Sequence, residues 1–182
     1  MRMEAFTRLV LVPMFYMSTA IVAAAQLPPA AQVLPAGFKV IAERNLGGSS
    51  MIEATKPNEN FPKPHMDQGI RLGVSWISNP MAATTLEMMA KQSEEPAGQT
   101  MGMTREEPAG KQRYRGGVLT WRKVITPWVG SGNGPDLVTW SGSWVGAGSG
   151  GLRGVSISNF VGSKEAALGL IDGVLDKINV PR

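Results

Sequence analysis

The segment Val138–Val145, VTWSGSWV, alternates large apolar and small polar side chains. Extended, it places Val138, Trp140, Gly142 and Trp144 on one face and Thr139, Ser141 and Ser143 on the other. Trp121 stands on the apolar stretch before it. Flat indoles with a glycine slot between them can stack on sugar rings or other apolar ligands. The glycine loops GSGNG (Gly130–Gly134) and GAGSGG (Gly146–Gly151), with Arg153 beside the second, could hold an anion through backbone N–H groups. Candidate ligand-binding residues are therefore Trp121, Trp140, Trp144 and Arg153. A plainer use competes with each. Helices need an apolar floor, and an exposed pair of tryptophans would make an adhesive patch. The glycine loops lack the lysine and helix start of a phosphate loop, and hairpin turns at positive φ explain them.

His65 is the single histidine, followed by Met66, and Met101 and Met103 flank one glycine. Thioether and imidazole ligands suit Cu(I), so His65, Met101 and Met103 are the candidate metal ligands. Met88 and Met89 are adjacent on a helix, where at least one should face the core as adaptable filler. Hydrolytic chemistry has less to work with. One histidine permits one imidazole base, and GSWVG (Gly142–Gly146) does not fit G-x-S-x-G. A carboxylate mechanism would need some of His65, Asp67, Glu94, Glu95, Glu106 and Asp136 to converge in one cleft. The chain has no cysteine, which excludes thiol catalysis, zinc–thiolate sites and iron–sulfur clusters. No cofactor is implied.

Residues 1–25 read as a secretory signal peptide. Arg2 and Arg8 precede an apolar run to Ala25 that ends in three small residues. Cleavage before Gln26 leaves 157 of the 182 residues, one domain's worth, with no later stretch apolar enough to span a bilayer. Two arginines and one glutamate leave with the signal, so the net charge falls from +4 to +3. That is too mild and too scattered for nucleic acid. Export to a bacterial periplasm or beyond is expected, with a small molecule, a glycan or an envelope protein as partner.

Residues 26–37, QLPPAAQVLPAG, have the composition of an extended Pro/Ala linker. Beyond it the chain reads as one domain, 38–182. Strands are expected at Phe38–Asn45, Met51–Pro57 and Ile70–Ser78, then a helix over Met81–Gln92 opened by Asn79 and Pro80. A charged connector, 93–112, carries EEPAG twice. Strands follow at Gly117–Thr126, Asp136–Val145 and Leu152–Phe160, then a helix Lys164–Ile178 capped by Ser163. Its apolar residues Leu168, Ile171 and Leu175 share one face, with Lys164 on the solvent side. Gly169 and Gly173, four apart, could admit another backbone.

Two stretches echo each other: GIRLGVSWISN (Gly69–Asn79) and GLRGVSISN (Gly151–Asn159). Each is a third strand running toward a helix. The chain therefore reads as two β-β-β-α units, 38–92 and 113–178. Neither can bury its own faces alone. The expected fold is α+β: one mostly antiparallel sheet with two helices packed on one face. The function expected is an exported, non-catalytic domain that binds a ligand or partner, or an accessory envelope domain. A carboxylate hydrolase and a copper-binding protein are the alternatives.

Overall fold

The computed structural model describes residues 27–46, 48–58, 69–92, 99–101, 104–128, 134–148 and 150–182, with 99–101 described as backbone. The chain is an α+β fold on one antiparallel sheet. Three strands open it: β1 (Lys39–Leu46), β2 (Ser49–Lys56) and β3 (Ile70–Ser78). Five more follow: β4 (Gln99–Met101), β5 (Thr104–Tyr114), β6 (Gly117–Thr126), β7 (Leu137–Gly148) and β8 (Gly151–Phe160). The helices are α1 (Ala30–Val33), α2 (Ala82–Lys91) and α3 (Lys164–Lys177). The strand order is β1-β2-β3-β8-β7-β6-β5-β4, so two meanders meet where β3 pairs with β8.

Those two central strands are the echoing stretches. Val74 lies opposite Val155, Gly73 opposite Ser156, and Ser75 opposite Gly154. A local two-fold relation thus passes through the valine pair, and each G-V-S is the complement of the other. A Cβ on Gly73 would lie 2.6 Å from the Ser156 hydroxyl, and one on Gly154 2.5 Å from that of Ser75. Each serine occupies the room that the other copy's glycine leaves.

One sheet face is the core. Along its rungs, Ile52 and Ala54 of β2 meet Val74 and Leu72, which meet Val155 and Ile157, then Trp144 and Gly142, then Leu119 and Trp121. Ala167, Ile171, Val174 and Leu175 of α3 are fully buried within the same cluster. Each such Ile or Leu is worth about 1.5–3 kcal/mol of burial, so α3 is the main cover of this face. Leu168 is only partly buried at its edge. Ser163 caps α3 as expected, its Oγ accepting from the Ala166 N–H at 3.1 Å. Lys164 is not a solvent-side residue: its Nζ donates to the Ala109 carbonyl at 2.8 Å and lies 5.6 Å above the Trp121 ring.

The helices divide between the faces instead of sharing one. Arg113 and Val118 are a cross-strand pair on the side away from Trp144, and Val118 is 3% exposed. Glu87 of α2 accepts from Arg113 at 2.7 Å, and the Gln92 carbonyl accepts from Lys111, two residues back on that side. α2 therefore covers the outer ends of β6 and β7. Its buried residues are Ala82 and Leu86, a small apolar surface that a small patch satisfies. Its start also shifts: Asn79 Oδ1 accepts from the Met81 N–H at 2.9 Å in a turn, and the helix begins at Ala82.

Two segments expected to be irregular carry structure. The expected connector, 93–112, enters β5 at Thr104, and the strand runs on to Tyr114. The second EEPAG interrupts it only locally, because Pro108 to Lys111 is where the β5–β6 register shifts, and Gly110 sits there at φ +114°. In the expected linker, α1 buries Ala30 and Val33, and Lys177 Nζ donates to the Leu34 carbonyl at 2.6 Å. The chain end is held at the β5–β6 turn. Arg115, at φ +48°, donates to Asp172, Asp176 and the carbonyls of Val180 and Pro181, while the Tyr114 hydroxyl lies 2.8 Å from both Asp172 oxygens.

Candidate functional site

The tryptophans lie on the core face. Trp121 and Trp144 are each 2% exposed. The slot at Gly142 is filled by the Trp121 ring: a Cβ there would lie 2.6 Å from it. Trp144 lies against Gly117 and Gly146 and donates its Nε1–H to the Tyr114 carbonyl at 2.8 Å. Trp140 is half-buried, with Nε1–H bonded to the Gly162 carbonyl at 3.0 Å. Arg153 points to the same side and donates to the Ile178 carbonyl at 3.0 Å, beside the C-terminal end of α3. There its charge complements the helix dipole.

His65 and Met103 lie outside the described residues, and Met101 is described only as backbone in β4. The expected cut before Gln26, together with Asp67, Glu94 and Glu95, also falls outside them. Glu106 is ion-paired with Arg122 at 2.9 Å, and Asp136 is exposed before β7. Among the described residues, no three His, Asp or Glu side chains stand close enough together to hold a metal ion.

A different set of residues converges on the outer face. Cross-strand register places Glu53, Gly73 and Ser156 on one rung across β2, β3 and β8, and Thr55, Arg71 and Ser158 on the next. Between the rungs lies a groove of about 200 Å3 lined by Ile41, Glu53, Arg71, Gly73, Ser156 and Ser158 among others. Gly73 carries no side chain, and the Ser156 hydroxyl leans over it, 2.6 Å from where a Cβ would stand. Glu53, Arg71, Ser156 and Ser158 make no side-chain hydrogen bond or ion pair. Nearer α2, Arg113 is paired with Glu87, Arg122 with Glu106, and Lys111 donates to the Gln92 carbonyl.

Along the same face, toward the β1–β2 turn, a second recess of about 260 Å3 is lined by Arg44, Leu46, Met51, Ser75 and Ile77. Leu46 is 69% and Ile77 51% exposed. The two recesses form one strip that no described helix covers. Residue type alone does not single these positions out. The signal present in the sequence is the alternation itself, with Gly73, Ser75, Gly154, Ser156 and Ser158 all falling on the side away from the valines.

No protein-family model matches the chain, and no curated protein matches it. Among solved structures, LpqN of Mycobacterium tuberculosis, described as involved in cell envelope biogenesis, aligns over 80% of this chain and 77% of its own. The identity is 11% and the TM-score 0.33. A likeness at that level establishes neither a shared fold nor a shared function.

Proposed function

We propose that this chain is an exported, non-catalytic accessory domain of the cell envelope that binds a ligand or partner on the outer face of β2, β3 and β8. One observation carries the reading: among the described residues, helices cover the core face and the β6–β7 end of the outer face, and none covers the strip from Arg71 to Leu46. That strip combines unpartnered charge at Glu53 and Arg71 with exposed apolar side chains at Leu46 and Ile77. Polar groups beside desolvatable apolar surface are the usual composition of a binding site. Export rests on the basic n-region and apolar run of residues 1–25.

A photo-crosslinking amino acid placed at Ile77, on the open strip, tests the reading in the native host. Irradiation should give a discrete adduct in the exported fraction. The same group at Glu165, on the exposed side of α3, should give none. Equal labelling from both positions, or none from Ile77, would remove the outer face as the binding surface.

A further inference from the structure

The rungs carry opposite charge. Glu53 and the Ser156 hydroxyl flank Gly73 on one, and Arg71 stands directly opposite Ser158 on the other. Glu53 and Arg71 sit diagonally across adjacent antiparallel strands, a placement from which long side chains can reach each other. They do not pair: neither has an ion-pair partner. The groove lies between them, with Ile41 as an apolar wall. Both charges are therefore available to one ligand that spans the rungs.

We propose that this groove holds a short zwitterion, a molecule with a primary ammonium at one end and an oxyanion at the other. The ammonium donates to the Glu53 carboxylate and the Ser156 hydroxyl. The oxyanion accepts from the Arg71 guanidinium, whose planar fork suits carboxylate, and from the Ser158 hydroxyl. Side chains two apart on a strand stand about 7 Å from each other along it, and a ligand whose charges are several bonds apart spans that distance without drawing the two side chains together. An α-amino acid, with both charges on one carbon, cannot meet both rungs unless the Glu53 and Arg71 side chains fold toward each other. An ω-amino acid can, and its methylenes then lie against Ile41. This deepens the proposed function and rests on its reading of the outer face.

The test is a titration of the full chain with 5-aminopentanoate, followed by amide chemical shifts and calorimetry. Its isomer 2-aminopentanoate, and the one-headed pentanoate and pentylamine, are the controls. The ω-amino acid should bind and shift the amides of Gly73 and Ser156, with each control weaker by roughly tenfold or more, the scale of losing a charge-assisted hydrogen bond. Glu53→Gln and Arg71→Gln should each bring 5-aminopentanoate down to the level of a one-headed control. The double exchange Glu53→Arg with Arg71→Glu should restore binding, because the ligand can turn end for end. Thermal unfolding of each variant shows whether the fold is kept, and the double exchange guards against loss through misfolding. No binding by the wild type, equal binding of the isomer, or failure of the folded double exchange to recover would each overturn the zwitterion. An adduct from Ile77 with no zwitterion binding would leave the outer-face reading standing and remove only this inference.

Discussion

At the scale of single residues, glycines decide the packing, and they do so for opposite reasons. Gly142 is where the Trp121 ring lies, and Trp121 is 2% exposed and cannot retreat. Gly169 and Gly173 in α3 meet nothing within 4 Å of a Cβ, so no second backbone approaches them there. They are helical positions that carry glycine's entropy cost with no packing return. Gly142→Ala should therefore destabilise by about 1–3 kcal/mol, the usual cost of overpacking. Gly169→Ala should stabilise by about 0.5–1 kcal/mol. Chemical denaturation of the two single variants gives both signs at once. A neutral Gly142→Ala would mean that the tryptophan floor is loosely packed.

At the scale of elements, the C-terminal helix is held by chemistry as well as burial. Hydrogen bonds from Arg182 and Arg115 lower the carboxyl pKa of Asp176. Burial, then the hydrogen bond to Asp172, raises that of the Tyr114 phenol. The signs differ. A lowered carboxyl stabilises the fold above its unfolded pKa and ceases to do so as pH falls through the folded value. A raised phenol stabilises below its unfolded pKa, near 10, and that contribution is lost as pH rises through the folded value. The difference in stability between wild type and Asp176→Asn should thus shrink on acidification. That between wild type and Tyr114→Phe should shrink above about pH 10. Unfolding midpoints of both variants across pH check this, and a Tyr114→Phe difference that is flat with alkali would show that the phenol–Asp172 contact contributes nothing.

At the scale of the molecule, the halves meet through β3 and β8 and share one core under α3. Val74 and Val155 are both fully buried at that junction. The two units should unfold in one cooperative transition, with equal calorimetric and van 't Hoff enthalpies. Leu175→Ala, at 0% exposure, should lower its midpoint without splitting it, at a cost of about 2–5 kcal/mol. Two resolved transitions would make the repeats independent domains.

Local rules made much of this fold legible. The strands Ile70–Ser78 and Gly117–Thr126 have the expected bounds, and Ser163 caps α3, because alternation, turn glycines and capping act over a few residues. The α+β class and the antiparallel sheet followed from the same signals. The connector was misjudged because EEPAG reads as a break, and only pairing with β6 shows that its proline and glycine fall in a bulge. The choice of face for α2 was likewise beyond local reading. Alternation tells which side chains share a face but not which face a distant helix will cover. The outer groove depends on the same non-local fact. Glu53, Arg71, Ser156 and Ser158 lie up to 105 residues apart, and only the register of β2, β3 and β8 brings them to neighbouring rungs. Local sequence carried most of the elements and their alternation, but not α1, β4 or β5. Tertiary pairing alone decided which faces are covered, because a strand's two sides differ only in what the rest of the chain lays against them.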